Sequence, residues 1–87
     1  MKDSKLDLLQ LLLEPYVIDI LKALDKPQRF NDLVKHVKSR QTLTLKLSKL
    51  LKEGLIAHFP LKTKDGYANS YIITNKGSEA LARLKQL

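Results

Sequence analysis

The sequence predicts a small α+β fold that is mostly helical, and three features in a fixed order predict it. The first is the stretch from Thr42 to Ile56, where leucines recur on one side of a lysine-rich helix closed by Gly54. A pair of strand-like segments joined by an Asp-Gly turn comes next, and a helix capped by Thr74 follows. This order is typical of a winged helix-turn-helix with a two- to three-stranded β-wing and flanking N- and C-terminal helices.

Length and composition limit the possible classes of protein. A chain of 87 residues forms one domain, which removes about two thirds of its surface from water and leaves no room for a separate effector-binding domain. Cysteine is absent, so the chain can build neither a disulfide framework nor a thiolate metal site, and we expect a cytoplasmic protein. The apolar run Leu11 to Leu13 is far too short to span a bilayer.

The positive charge is concentrated in the second part of the chain. The formal net charge is +7, yet residues 1–30 contain five basic and five acidic side chains and are neutral overall. Residues 31–87 contain eleven basic and four acidic side chains, and the segment from Lys38 to Lys64 is the densest in lysine. This distribution favours a polyanionic partner, although a lysine-rich solvated surface is the alternative.

Two apolar segments precede the basic region. From Leu6 to Leu13, leucine covers most of the helical circumference and leaves only a narrow polar strip. One small domain cannot bury apolar side chains on so many sides of a helix. Pro15 suits the first turn of a second segment, which continues to the break at residues 25–27. The two segments form either one kinked helix or two helices.

Residues 29–53 have the spacing of a helix-turn-helix. A short helix over residues 31–38, capped by Asn31 or Asp32, is followed by a tight turn. Ser39 is the predicted cap of the next helix, which ends at Glu53. Its predicted buried side comprises Leu43, Leu47, Leu50 and Leu51.

Residues 55–74 are the predicted wing. Strands from Leu55 to Lys62 and from Tyr67 to Thr74 are joined by a turn at residues 64–66, and Pro60 requires an edge position or a bulge. The closing helix spans residues 75–87, with an apolar stripe of Ala80, Leu81, Leu84 and Leu87.

Three pieces of the chain resemble the MarR and HxlR families of small winged-helix transcription regulators. They are Arg29 to Leu33, Leu43 to Ile56, and Ser70 to Gly77. The resemblance implies a homodimer that binds operator DNA, with the helix near Gln41 to Lys52 in the major groove and the hairpin near the backbone or minor groove. The chain departs from these families in lacking cysteine, which makes a cysteine redox switch impossible, and in lacking long helical extensions, so a small-molecule effector stays unassigned.

The outward side of the basic helix is expected to contact DNA. In its amino-terminal half Gln41 can bond adenine, Thr42 can bond a base or touch a thymine methyl, and Leu45 either meets a thymine methyl or is exposed without a role. The lysines are expected to meet phosphates, Arg40 can do either, and the hairpin lysines either approach a minor groove or only carry solubilising charge. The predicted contacts are Ser39, Arg40, Gln41, Thr42, Thr44, Leu45, Lys46, Ser48, Lys49, Lys52, Lys62 and Lys64.

The surplus leucines of the first and last helices predict a two-fold dimer. A second copy would bury them and place two recognition helices in successive major grooves about 34 Å apart. The alternative is that both helices only close the core of the monomer. The predicted dimer residues are Leu6, Leu8, Leu9, Leu12, Leu13, Leu81 and Leu84.

Catalysis, metals and cofactors have no support in the sequence. His36 and His58 fall on different elements without a metal-ligand spacing, and no glycine-rich phosphate loop occurs. A DNA-binding regulator that is not an enzyme is therefore the leading hypothesis. An architectural nucleic-acid-binding protein and a protein-interaction module are the alternatives, the latter disfavoured because protein interfaces are depleted in lysine.

Overall fold

The computed structural model describes residues 4–85 of the chain, and its side chains from residue 8 to residue 84. Within these residues, five helices and a three-stranded antiparallel sheet confirm the predicted α+β class. The elements in chain order are α1 (Ser4–Leu12), α2 (Val17–Ala23), β1 (Gln28–Arg29), α3 (Phe30–Val34), α4 (Arg40–Lys52), β2 (Ile56–Thr63), β3 (Gly66–Ile73) and α5 (Asn75–Lys85). No helix in the described range combines the length and apolar character needed to cross a membrane.

Both ends of α4 form as predicted. The Ser39 hydroxyl accepts a hydrogen bond from the Thr42 backbone N–H at 3.1 Å, which satisfies one free donor of the first turn. At the other end Gly54 has φ 74°, in the left-handed region that favours glycine. The N–H groups of Gly54 and Leu55 donate to the carbonyls of Leu51 and Leu50, each at 3.0 Å, which is the Schellman arrangement.

Three predictions about the first half of the chain need correction. Helix α3 ends at Val34 rather than residue 38, because His36 and Val37 donate to carbonyls only three residues back, in tighter turns than an α-helix. Its cap is Arg29, whose backbone N–H donates to the Asp32 carboxylate at 3.1 Å. Helices α1 and α2 are separate, and Pro15 lies in the turn between them rather than inside the first turn of α2.

The sheet has the order β1-β3-β2, so β2 is an edge strand and Pro60 lies on an edge as predicted. Strands β2 and β3 pair from Ile56 opposite Ile73 to Thr63 opposite Gly66, and residues 64–65 form the loop. The short strand β1 pairs with the other side of β3 and has no counterpart in the sequence prediction beyond the allowance for a third strand.

The core lies between the helices and the base of the sheet. Leucine and isoleucine side chains of α2 and α4 are fully buried there, and α5 packs against α2 and β3. Leu12 is 4% exposed and belongs to this core, whereas Leu51, which was predicted to be buried, is 37% exposed on the flank of α4. At about 100° per residue, Leu51 lies roughly 80° around the helix from Leu43 and about 100° from Leu50, at the margin of the buried side.

Candidate functional site

Helix α4 presents one apolar side to the core and the opposite side to solvent. Leu43, Leu47 and Leu50 are at most 3% exposed and fix the orientation of the helix. The side chains about 180° away are all exposed, and Leu45 among them is 59% exposed. We call these four residues the outer face of α4: Gln41, Leu45, Ser48 and Lys52.

The first turn of α4 carries hydroxyl groups that already have local partners. The Thr42 hydroxyl, predicted to face outward, is half-buried and lies 3.0 Å from that of Ser39. The Thr44 hydroxyl donates to the Arg40 carbonyl at 3.0 Å, which leaves it only acceptor capacity towards another molecule. The Arg40 guanidinium lies 5.7 Å from the centre of the Phe30 ring, so a cation–π contact orients it while the side chain stays exposed.

A carboxylate from outside the helix binds two of its lysines. Glu14 lies in the turn after α1, and its Oε1 is 2.6 Å from Nζ of Lys46 and 3.1 Å from Nζ of Lys49. The hydrogen bond from Lys46 lowers the pKa of the Glu14 carboxyl, burial opposes this by raising the pKa, and Lys49 lowers it further. The Lys46 side chain is only 14% exposed, so its assignment to a phosphate does not fit its position in this structure.

Sequence reasoning missed the role of Glu14. By helical spacing Glu14 belongs to the narrow polar strip of the first helix, and its partners are 32 and 35 residues away. Helical periodicity reports only neighbours within one element, so it cannot show a contact across that distance.

The hairpin places two further lysines in solvent near its tip. Lys62 pairs across the strands with Tyr67, so the two side chains project from the same face of the sheet, and Tyr67 is 72% exposed. Lys64 is exposed in the two-residue loop beside Asp65. Gly66 has φ 131°, which L side chains rarely adopt and which turns the chain into β3.

An apolar groove of about 490 Å³ runs between α1 and α5. Leu8, Leu9 and Leu84 line it, with charged side chains of α5 beside them. Leu9 and Leu13 are 37% and 64% exposed, while Leu81 and Leu84 are half-buried. Of the predicted dimer residues, Leu12 contributes mainly to the core, and the Leu6 side chain lies outside the described range.

No group of three or more histidine, cysteine, aspartate or glutamate side chains that could hold a metal ion occurs in the part of the chain that the structure describes. The exposed side chains of α4 and the hairpin offer hydrogen bonding, apolar contact and positive charge. These are the interactions that proteins use to bind nucleic acid bases and phosphates.

Comparison with family models and with curated proteins found no match. Several solved structures do match. The reduced form of the transcriptional regulator YodB from B. subtilis has a TM-score of 0.82 at 22% identity, covering 99% of this chain and 87% of that chain. A MarR-family regulator from Enterococcus faecalis V583 has a TM-score of 0.80 at 16% identity, covering 99% and 83%.

A PadR-like transcriptional regulator from Bacillus cereus matches with 27% identity and a TM-score of 0.73, covering 88% of this chain and 84% of that chain. These similarities extend over almost the whole of the described chain, including α4, the hairpin and the flanking helices. The protein therefore has the winged helix-turn-helix fold of MarR-family and PadR-like transcriptional regulators.

Proposed function

We propose that this chain is a sequence-specific double-stranded DNA-binding regulator that acts as a homodimer. The observation that carries the proposal is the outer face of α4, where polar and basic side chains are exposed directly opposite a fully buried leucine stripe. The same fold occurs in proteins described as transcriptional regulators. Helix α4 enters the major groove in this proposal.

Base recognition is assigned to the amino-terminal half of the outer face, where such helices place their base contacts. Gln41 is exposed and can bond the N6 and N7 positions of adenine with its amide. Leu45 lies one turn further on, is 59% exposed, and offers an apolar surface to a thymine methyl group.

Phosphate contacts are assigned to the exposed cations around this face. Lys52 continues the outer face towards the carboxyl end, and Arg40 begins the helix with an oriented guanidinium. Lys62 and Lys64 at the end of the hairpin contact the backbone or the neighbouring minor groove. Strands of eight residues extend about 26 Å, enough to reach beyond the groove occupied by α4.

Dimer formation is assigned to the groove between α1 and α5. Leu9 lines this groove and Leu13 follows the end of α1; both are exposed and would be buried by a second copy. A two-fold dimer places two copies of α4 about 34 Å apart, the spacing of successive major grooves on one side of a duplex.

The test is a fluorescence-anisotropy titration of two labelled duplexes at several salt concentrations. One duplex carries a site selected from a random pool, and the other has a scrambled sequence. We expect both affinities to fall with salt and the selected site to bind at least about 1000-fold more tightly, as specific complexes do.

Each other outcome contradicts the proposal in a distinct way. Salt-dependent binding that does not discriminate between the duplexes would indicate an architectural nucleic-acid-binding protein. No binding to either duplex at low salt would indicate a protein-interaction module.

A further inference from the structure

The Glu14 carboxylate is placed against α4 by the backbone on both sides of it. Its N–H donates to the Leu11 carbonyl at 3.1 Å, and its own carbonyl accepts from the Val17 N–H at 3.3 Å. The next residues, Pro15 and Tyr16, are conformationally restricted, because proline fixes its own φ and Tyr16 has φ 72°. The carboxylate is therefore part of a defined turn and not a freely moving surface side chain.

Both carboxylate oxygens are used at this position. Lys49 lies 3.1 Å from one oxygen and 3.2 Å from the other, and Lys46 lies 2.6 Å from the first. The Glu14 side chain is 27% exposed and that of Lys46 is 14% exposed, which reduces the screening of their interaction by solvent. Lys49 is 54% exposed, so it can reach a second anion on the solvent side.

Helix α4 itself contains four cationic side chains and no acidic one. Glu14 therefore supplies a negative charge that the helix lacks, at the margin of the outer face. A DNA phosphate that approached Lys49 would meet an ammonium group already bound by a carboxylate, and it would also be repelled by that carboxylate.

We propose that Glu14, held by the half-buried Lys46, competes with DNA phosphate for Lys49 and thereby lowers the sequence-independent affinity of α4 for a duplex. The inference rests on the proposed DNA-binding function and adds a specificity-determining residue that makes no DNA contact of its own. Base contacts by Gln41 and Leu45 then account for a larger share of the binding free energy, because part of the phosphate attraction is offset.

Glu14 lies between the elements to which the dimer contacts and the DNA contacts are assigned. It follows α1, which lines the groove assigned to the dimer, and it binds α4, which is assigned to DNA.

The experiment compares Glu14→Gln with Asp19→Asn, each in the full chain. Both variants remove one negative charge, but Asp19 is exposed on α2 and forms no ion pair within the described residues. The probe is a random-sequence duplex of about 30 base pairs, titrated by fluorescence anisotropy between about 50 and 200 mM salt. Thermal unfolding confirms that each variant is folded.

For Glu14→Gln we expect a slope of log affinity against log salt that is steeper by about 0.9 for each phosphate newly contacted. For one such contact, the ratio of variant to wild-type affinity should rise about 3.5-fold as the salt concentration falls from about 200 to about 50 mM. Asp19→Asn should change the affinity by less than about twofold, because Asp19 is exposed, forms no ion pair with the described cations of α4, and is screened by salt.

Two results would overturn the inference while leaving the proposed function intact. One is a Glu14→Gln slope equal to that of Asp19→Asn, and the other is weaker binding by Glu14→Gln, which would mean that Glu14 orients Lys49 for DNA. A wild-type chain that binds no duplex would instead overturn the proposed function, and this inference with it.

A second background avoids leaving the half-buried Lys46 ammonium without its partner. Lys46→Met keeps an unbranched side chain that is one atom shorter and removes its charge, so Glu14 then faces Lys49 alone. Adding Glu14→Gln to Lys46→Met should again steepen the salt slope relative to Lys46→Met. An unchanged slope in a folded double variant would contradict the competition with phosphate.

Discussion

The carbonyl oxygen of Leu55 lies so close to Gly77 that a Cβ atom at residue 77 would come within 2.1 Å of it. This approach joins the turn after α4 to the first turn of α5. Thr74 secures the same junction, since its hydroxyl donates to the Gly54 carbonyl at 2.7 Å and accepts from the Gly77 N–H at 3.1 Å. The direction of α5 relative to the end of α4 is therefore set by backbone contact.

Gly77→Ala should destabilise the fold because the new methyl group meets backbone that cannot move alone. We expect a loss of about 2 kcal/mol or more in the free energy of unfolding, in the range of overpacked cores. Urea denaturation measures this loss. Ser78→Ala, at the next and exposed position of the same helix, is the matched control and should change stability by less than about 0.5 kcal/mol. Equal stability of the two variants would show that this junction is not tightly packed.

Glu14→Gln should lower stability near neutral pH and lose this effect in acid. Because Lys46 lowers the pKa of Glu14 in the folded state, the carboxylate stabilises the fold above the pKa of the unfolded chain, about 4.3. That contribution is lost as the pH falls through the lower pKa of the folded state. Urea midpoints of wild type and variant should differ near pH 7 and converge only once the pH has fallen below the lowered pKa of Glu14 in the folded state. A difference that persists undiminished in acid would contradict the ion pair as its source.

Lys52→Ala should weaken binding to all duplexes alike. Lys52 is exposed on the outer face of α4 and is assigned to a phosphate, so its removal should make the salt slope shallower by about 0.9. Lys22→Ala removes an equally exposed lysine from α2 and serves as the control. The same slope for both variants would mean that Lys52 does not meet the duplex.

Gln41→Ala should act on base preference instead. Loss of a bidentate contact to one base costs about 1–3 kcal/mol of discrimination, so the variant should bind base-substituted and unsubstituted sites more equally. The measurement is a set of titrations with single substitutions across the selected site. Unchanged discrimination at every position would remove Gln41 from the base-reading residues.

Leu9→Glu should disrupt the homodimer, because it places a charge at the edge of the groove between α1 and α5. Leu61→Glu is a matched control, since Leu61 has the same 37% exposure but lies on the hairpin. Analytical ultracentrifugation should find dimers for wild type and Leu61→Glu, and monomers for Leu9→Glu. A monomeric wild-type chain would rule out the proposed dimer.

Local signals predicted much of this fold correctly. Ser39 at the start of α4 and Gly54 after its end act through hydrogen bonds between residues at most five positions apart. Both partners of each bond therefore lie in one short stretch of sequence, where a local pattern can predict them. The hairpin was predictable for the same reason, because two strand-like segments flank a short Asp-Gly turn. The exposed outer face of α4 was predictable because its orientation follows from three buried leucines.

Contacts between distant segments could not be predicted in this way. Strand β1 has only two residues, and it forms because the chain passes beside β3 rather than because of its own pattern. The pairing of Glu14 with Lys46 depends on how the turn after α1 packs against α4. The burial of Leu12 likewise depends on the angle of α1, which leucine periodicity leaves open when the helix is apolar on most sides.

Selection from a pool of duplexes with a randomised centre tests the central claim most directly. Purified protein, retained with its bound DNA over several rounds near physiological salt, should enrich a two-fold symmetric motif. Its half-sites should be about 10 base pairs apart, matching two copies of α4 in successive major grooves. Recovery of sequences without a shared motif, despite binding, would contradict the claim that α4 reads the bases of DNA.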